Sequence, residues 1–317
     1  MKPRSRAGAS GRGVAPRKRV SHSGGGADVP LTERLDSLLQ RLEPLLPPLD
    51  EPDFRALAFQ WRRRSYLGAS IGRLEAVRHI AAIGPDDLKH VDAQKQAILR
   101  NTEQFVRGLP ANNVLLTGAR GTGKSSLVRA CLSRHASDGL RLIEVDRHDL
   151  IDLPHIAERL EGRRERFVLF CDDLSFEPSD ASYKALKAAL DGSLAGLGEN
   201  TLIYATSNRR HLMPEFMREN LQAAYDENGE LHPAESTEEK VSLSERFGLW
   251  LSFHPFRQED FLDIVDHWLA RLGVDPVRAP NAHAEALQFA LARGSRSGRI
   301  AQQFARDFAG RAALAKR

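Results

Sequence analysis

The chain has 317 residues, of which 41% are hydrophobic and 28% are charged, a composition typical of globular proteins with one large or two medium domains. It has no run of 18 apolar residues, so we expect no membrane-spanning helix and no membrane partner. The net charge of +4 is unevenly distributed. Residues 1–30 carry seven lysines and arginines and one aspartate, a net charge of +6, which leaves −2 for the remainder.

Two cysteines, Cys131 and Cys171, both lie in apolar stretches. Buried thiols without a disulfide pattern favour a reducing compartment. The N-terminus lacks the apolar centre of a secretory signal, and we therefore expect a cytoplasmic protein. An arginine- and serine-rich start is also found in organelle transit peptides, although this one has almost no apolar residues to form an amphipathic face.

Residues 1–30 form a basic tail rich in glycine, arginine and serine. Such a segment buries too little apolar surface to offset the entropy cost of ordering, so we predict that it is disordered. A basic tail can bind nucleic acid or an acidic partner, or can serve only as a solubilising extension. The sequence leaves these alternatives open.

Residues 31–84 are predicted to form an N-terminal helical region. Leucines recur at helical spacing from Leu31 to Leu45 and predict a first amphipathic helix. A second helix is predicted over residues 53–66 and a weaker third over residues 73–83.

Three consecutive arginines, Arg62 to Arg64, lie between Trp61 and Tyr66 in the second of these predicted helices. Aromatic residues beside arginines can stack on single-stranded nucleic acid. The alternative is a set of core aromatic side chains beside a solvated basic face.

Residues 118–126 match the pattern G-x-x-x-x-G-K-[ST], between an apolar run that predicts a strand and a helix-forming segment. The glycines let backbone N–H groups turn inward around a polyphosphate, towards which the N-terminus of the next helix also points. Lys124 is expected to reach the β- and γ-phosphates of ATP, and the Ser125 hydroxyl to bind Mg²⁺. The predicted phosphate-binding residues are Gly118, Ala119, Arg120, Gly121, Thr122, Gly123, Lys124, Ser125 and Ser126.

Two residues upstream of this loop, Leu88 and Val91, precede a predicted helix that ends near Phe105. Their position suits a turn that contacts the adenine base. The alternative is ordinary packing of this segment onto the sheet.

Two acidic residues follow the continuous apolar run at residues 167–171, which predicts a strand covered on both faces. In this position, which has the form of a Walker B motif, Asp172 would hold Mg²⁺ and Asp173 would act as general base for the attacking water. Glutamate is usual at the second position, and aspartate is one methylene shorter. Glu177 is a weaker alternative base, and Asn208, at the end of the next predicted strand, is suited to bind the γ-phosphate or the water.

Further strands and helices alternate along the chain and predict a parallel sheet with helices on both faces. Ligands bind such sheets at the carboxyl ends of the strands, where the polar motifs lie. A polar excursion is predicted at residues 213–241, a last strand at 249–253, and helices from residue 258 onward.

The order of these motifs resembles that of the AAA+ ATPases. The runs at residues 169–176, 204–212 and 242–249 are similar to a bacterial family of predicted AAA+ ATPases long carried as a domain of unknown function. The resemblance covers about residues 50–270. It implies a three-layer α/β/α fold with strand order 5-1-4-3-2, a nucleotide-binding core at 85–256, a helical lid at 257–317, and assembly into a homo-oligomer.

The resemblance also implies roles for single residues. Asn208 resembles sensor 1, and Arg246 resembles the arginine finger that reaches the γ-phosphate bound to a neighbouring subunit. In the lid, Arg299 resembles sensor 2, with Arg296 as the alternative. Leu88 and Val91 match the adenine-side box of the family, although His90 stands where that box usually has glycine.

We therefore expect an AAA+ ATPase that uses ATP and Mg²⁺ to drive or switch an interaction with a macromolecule. Two alternatives remain open: an ATP-gated binding module with little hydrolysis, and a loader associated with nucleic acid. The sequence does not identify the macromolecule.

Overall fold

The computed structural model describes residues 30–42, 52–66, 69–81, 83–176, 180–191, 197–208, 224–225, 231–232 and 243–315. The chain divides into two units, residues 1–47 and residues 48–317. The first contains helix α1 (Leu31–Leu42), which was predicted from the leucine spacing. The predicted disorder of residues 1–29 concerns residues outside the described part of the chain.

The second unit is an α/β fold followed by three helices. Its strands are β1 (Ala58–Tyr66), β2 (Ala69–Ala76), β3 (Val114–Gly118), β4 (Leu140–Glu144), β5 (Arg166–Cys171), β6 (Thr201–Ser207), β7 (Ala224–Tyr225), β8 (Leu231–His232) and β9 (Leu249–Phe253). Its helices are α2 (Asp92–Val106), α3 (Lys124–His135), α4 (Leu153–Leu160), α5 (Ala181–Leu190), α6 (Gln258–Arg271), α7 (Ala282–Ala292) and α8 (Gly298–Leu314).

Seven of the strands form one sheet in the order β2-β1-β4-β5-β6-β3-β9. The five strands from β4 to β9 are parallel, and in chain order they give the predicted sequence 5-1-4-3-2. Strands β7 and β8 pair only with each other among the described residues, and the rest of the predicted excursion at 213–241 lies outside them.

Helices cover both faces of the sheet, which confirms the three-layer prediction. Buried residues of α4 and α5, such as Ile156 and Leu186, pack on one face. Residues of α2 and α3, such as Ile98 and Leu127, pack on the other face. The lid helices α6, α7 and α8 form a third cluster around Phe261 and Phe304.

The predicted helices over residues 53–66 and 73–83 are wrong for β1 and β2, which form an antiparallel hairpin. The hairpin extends the sheet because β1 pairs in parallel with β4. Phe54, Ala58 and Trp61 are buried at a spacing that imitates a helix, but Phe54 lies in a turn before the strand begins. The apparent helical spacing therefore combines one buried residue of the turn, Phe54, with two buried residues of the strand, Ala58 and Trp61.

Trp61 explains why this edge of the sheet has a hairpin of this sequence. Its ring lies over Gly72 of β2, where a Cβ atom would overlap the ring. Its Nε1 atom donates to Asp152 Oδ2 at 2.9 Å, and Arg63 pairs with the same carboxylate at 2.8 Å. One of the three arginines predicted as a solvated basic face thus binds, together with Trp61, one buried acid beside α4.

None of the helices in the described part of the chain is both long enough and apolar enough to cross a membrane.

Candidate functional site

The loop from Gly118 to Gly123 connects β3 to α3 and has a backbone that requires glycine. Gly121 and Gly123 have φ angles of +72° and +99°, in the left-handed region that other residues rarely adopt. A Cβ atom on Gly118 would collide with the backbone carbonyl of Phe253 in β9. The loop is therefore held against the neighbouring strand while it curves around the start of α3.

Lys124 is the first residue of α3 and is only 6% exposed. Its Nζ atom donates to the carbonyl oxygens of Gly118 and Ala119 at 2.8 and 2.7 Å, and to Asn208 Oδ1 at 3.0 Å. Burial lowers the pKa of Lys124, and the negative charges of Asp172 and Asp173 oppose that shift. A cation is thus fixed where helix α3 directs its N-terminal amides.

Asp172 follows β5 and receives two hydroxyl groups on one carboxylate oxygen. Ser125 Oγ and Thr206 Oγ1 both donate to Asp172 Oδ1 at 2.6 Å. Oxygen donors of this type suit Mg²⁺, which usually binds one or two protein ligands together with phosphates and water. In the described parts of the chain, no group of three or more histidine, cysteine or acidic side chains is arranged for a metal ion. The residues present therefore fit Mg²⁺ accompanying a polyphosphate.

Asp173 has a φ angle of +53°, which is uncommon for a residue other than glycine. Its backbone N–H donates to Thr206 Oγ1 at 2.9 Å, and its Oδ1 atom accepts a short hydrogen bond from Asn208 Nδ2. Asn208 therefore bridges Lys124 and Asp173. The side chains come from the start of α3, which follows β3, and from the ends of β5 and β6, and these three strands are consecutive in the sheet.

These side chains line a cleft of about 600 Å³ between the sheet and the lid, a volume typical of ligand sites. The cleft brings together most of the predicted residues: Leu88, Arg120, Gly121, Thr122, Gly123, Lys124, Ser125, Ser126, Asp172, Asp173, Asn208 and Arg299. Gly118 and Ala119 lie behind it and hold Lys124 through their carbonyl groups.

Three further predicted residues do not line this cleft. Val91 is 4% exposed and packs in the core with residues of α2 and α3. Arg246 forms an ion pair with Asp191 at the end of α5. Arg296 donates to Gln258 at 3.3 Å, and of the two lid arginines only Arg299 is in the cleft. Glu177 lies outside the described residues.

The lid contacts both the phosphate loop and the segment before α2. Ser297 caps helix α8, and a Cβ atom on Gly121 would lie 2.7 Å from its Oγ atom. On the other side, His90 lies 3.2 Å from Asp260 and 3.3 Å from Asp263 of α6. His90 has a φ angle of +60°, which accounts for the glycine that is usual at this position.

Several residues that line the cleft were not predicted from the sequence: Ile83, Asp87, Lys89, Arg129, Thr206, Phe256, Ile264, Trp268, Gly298 and Gln302. The apolar members come from segments that are distant in sequence, and no motif marks them. Thr206 could have been identified from the sequence, because it is the first of three consecutive polar residues at the end of the buried strand β6.

A family model described as "Protein of unknown function (DUF815)" matches residues 54–312. The chain belongs to this family. The match confirms the resemblance to a family long carried as a domain of unknown function, and the strand order and phosphate loop are those of the AAA+ fold. No curated protein gives a significant match.

Solved structures similar to this chain share little sequence identity with it. The Thermotoga maritima RuvB K64R mutant is 17% identical, with 73% of this chain and 65% of that chain covered and a TM-score of 0.44. The Aeropyrum pernix Orc1 protein in complex with DNA is 18% identical, with 69% and 61% covered and a TM-score of 0.44. A DNA replication initiation factor is 14% identical, with 76% and 66% covered and a TM-score of 0.43. The chain thus spans slightly less than two thirds of the length of these proteins.

The contact between the loop and the lid can be tested with Gly121→Ala, compared with Gly139→Ala. Both glycines have positive φ angles, but a Cβ atom on Gly139 meets nothing within 4 Å. Both variants incur backbone strain of about 1 kcal/mol. We expect Gly121→Ala to lower the free energy of unfolding by about 1–2 kcal/mol more, because Ser297 must move. Urea titrations that give equal losses for both variants would contradict this contact.

Proposed function

We propose that the chain is an ATPase that binds ATP with Mg²⁺ and hydrolyses it at the interface between subunits of a homo-oligomer. The observation that carries the proposal is the arrangement of Lys124, Ser125 and Asp172. The lysine and serine begin helix α3, and the serine hydroxyl is hydrogen-bonded to the aspartate that follows the apolar strand β5. This combination supplies a cation, backbone amides and metal-binding oxygens to one polyphosphate.

Binding uses the loop and the lid together. Residues 120 to 126 line the cleft, Lys124 supplies positive charge, and Arg299 of the lid lines the same cleft. Lys124 Nζ already has oxygen partners in the loop, and phosphate oxygens would be further acceptors of the same kind. We assign adenine to the apolar end of the cleft, near Leu88, Ile264 and Trp268.

Hydrolysis would use Asp173 and Asn208. Asp173 holds its carboxylate in the cleft and is suited to take a proton from the attacking water. Asn208 lies between this carboxylate and Lys124, so it is placed to orient the water or the γ-phosphate. Ser125 and Asp172 would hold Mg²⁺, which would supply charge stabilisation of the phosphates.

Arg246 is proposed to act on the ATP of a neighbouring subunit. It lies apart from the cleft of its own chain and is anchored to Asp191 at the end of α5. An arginine in this role stabilises the charge that develops on the transferred phosphoryl group. A site that depends on Arg246 would therefore be complete only in the oligomer.

The hydrogen bond between Asn208 and Asp173 favours one alternative function. A carboxylate engaged by an amide and carried on a side chain shorter than the usual glutamate is less free to approach water. This alternative is an ATP-gated binding module in which nucleotide binding, rather than turnover, controls a partner.

The partner is proposed to be a macromolecule, with nucleic acid as one candidate. The basic tail at residues 1–30 and the exposed arginines of the hairpin, such as Arg62 and Arg64, would contact phosphates. We also propose a cytoplasmic location. Both cysteines are free and buried, and burial raises the pKa of each thiol to about 12, as suits unreactive thiols of a reducing compartment.

Two substitutions separate binding from turnover. Lys124→Ala is expected to weaken ATP binding at least about tenfold, because the buried cation is lost. Asp173→Asn is expected to keep ATP affinity within about threefold while lowering kcat by about 10²-fold or more. Binding is measured by titration with a fluorescent ATP analogue and turnover by phosphate release, with Lys184→Ala on the exposed side of α5 as control. A wild-type rate no higher than that of Asp173→Asn would instead favour the ATP-gated module.

The role of Arg246 is tested by mixing two defective variants. Arg246→Ala and Lys124→Ala should each be nearly inactive alone. In oligomers formed from equal amounts of the two variants, about a quarter of the interfaces combine an intact phosphate loop with an intact Arg246. About a quarter of the wild-type rate should therefore return. Subunit exchange is checked separately by energy transfer between Arg246→Ala and Lys124→Ala that carry different fluorescent labels. Full activity of Arg246→Ala alone, or no recovery in an exchanging mixture, would contradict an action between subunits.

A further inference from the structure

We infer that Thr206 is a positioning residue that sets the direction of both aspartates after β5, and that hydrolysis depends on its hydroxyl group. The inference rests on the proposed ATPase function and extends it to a residue that no motif marks. Thr206 lies near the end of β6, which pairs in parallel with β5 up to Cys171 and Ala205. The next residues of the two strands are Asp172 and Thr206.

The hydroxyl group of Thr206 accepts one hydrogen bond and donates another. The backbone N–H of Asp173 donates to Oγ1 at 2.9 Å, so the hydroxyl proton is available for Asp172 Oδ1, which lies 2.6 Å away. A hydroxyl has only one proton to donate. The direction of the hydrogen bond to Asp172 is therefore fixed by the amide on the other side.

The backbone of Thr206 holds the next residue of the same turn. Its carbonyl oxygen accepts the N–H of Leu174 at 2.7 Å, and Ser207 Oγ donates to the carbonyl of Leu174 at 2.8 Å. Thr206, Ser207 and Leu174 are all nearly inaccessible to solvent. The end of β6 thus forms hydrogen bonds to three consecutive residues, 172 to 174.

These hydrogen bonds are most important at Asp173, whose φ angle of +53° is uncommon for a residue other than glycine. A residue keeps such a conformation only when its surroundings determine it. The amide that Thr206 accepts belongs to Asp173 itself. Without that acceptor the turn loses the one hydrogen bond that Thr206 Oγ1 makes to the backbone of Asp173, and the hydrogen bond from Asn208 must direct the carboxylate on a less restrained backbone.

Asp172 is fixed from two sides by the same chemistry. Ser125 donates to Oδ1 from the phosphate loop, and Thr206 donates to the same atom from the buried strand. The serine belongs to the proposed metal site, whereas Thr206 acts through the carboxylate. We therefore assign Thr206 the role of orienting the acid that holds Mg²⁺ and the acid that activates water.

The test uses substitutions that change only the hydroxyl group or only the methyl group. Thr206→Val keeps the shape and removes the hydrogen bonds, while Thr206→Ser keeps the hydroxyl. Thr201→Val is the matched control, because Thr201 is a buried threonine at the opposite end of the same strand, where its Oγ1 donates to Asn200 Oδ1 at 3.2 Å. Thr206→Ala is included in case valine at residue 206 prevents folding.

Steady-state hydrolysis by the purified full chain should separate these variants. Thr206→Val and Thr206→Ala should lower kcat by about 30- to 300-fold with KM for ATP changed less than about threefold, because phosphate binding by the loop is kept. Thr206→Ser should retain kcat within about threefold, and Thr201→Val should match the wild type. A loss that falls on kcat alone and is rescued by serine is not expected from general destabilisation.

A second readout does not depend on turnover. The affinity for a non-hydrolysable ATP analogue is measured without Mg²⁺ and at saturating Mg²⁺. We expect Mg²⁺ to tighten binding to the wild type, Thr206→Ser and Thr201→Val, and this gain to fall at least about threefold in Thr206→Val, since Asp172 loses its orientation.

The outcomes that overturn the inference are distinct from those that overturn the proposed function. If the wild type hydrolyses ATP and Thr206→Val or Thr206→Ala keeps the kcat and the Mg²⁺ effect of Thr201→Val, the role of Thr206 is wrong and the ATPase proposal stands. If Thr206→Ser is as impaired as Thr206→Val, the hydroxyl is not the cause. If the wild type itself neither binds nor hydrolyses ATP, both proposals fail.

Discussion

The central constraint on this structure is that the buried ammonium group of Lys124 must stay charged. Lys124 lies at the start of a helix, almost inaccessible to solvent, and burial alone disfavours its charge. Two loop carbonyls and the amide oxygen of Asn208 accept its three protons, and two carboxylates lie near it. The tight curve of the loop, the polar ends of β5 and β6, and the glycine that touches β9 are all needed to place these oxygens. The placement of this one cation therefore requires contacts among four segments that are distant in sequence: the phosphate loop and the ends of β5, β6 and β9.

The parallel sheet brings these segments together, and specific contacts place the lid beside them. Strands β5, β6 and β3 are adjacent, so the residues that follow them share one edge of the sheet. The lid closes the other side of the cleft through Ser297 and Arg299, while His90 joins the segment before α2 to the lid helix α6. The arginine that lies elsewhere, Arg246, is the one assigned to a neighbouring subunit. Under the proposed function, a site divided in this way would couple nucleotide to lid and to assembly.

Much of this arrangement was predictable because buried parallel strands are continuous apolar runs with polar residues at their ends. The runs before Gly118 and Asp172 predicted the strands and the position of the candidate site together, and the resemblance to the AAA+ ATPases implied the strand order. The hairpin was not predictable from the same pattern. Trp61 is buried through Asp152 and Gly72, which lie in other segments, and its spacing from Phe54 imitates a helix. The sheet partner, not the local spacing, decides that conformation.

The details missed in the site have similar causes. Thr206 makes its contacts across the strand pair, so its role depends on register, which the sequence alone does not establish. Val91 was assigned to the adenine side from its position in a motif, but packing against α2 and α3 buries it in the core. The pair formed by Arg246 and Asp191 joins two segments with no sequence pattern in common.

The most direct test of the central claim is an equilibrium titration of the full chain with ATP at saturating Mg²⁺, compared with AMP under the same conditions. A cation and a loop arranged around the β- and γ-phosphates predict saturable binding of ATP at least about tenfold tighter than binding of AMP. No binding of ATP at millimolar concentration, or equal affinity for the two nucleotides, would contradict the account.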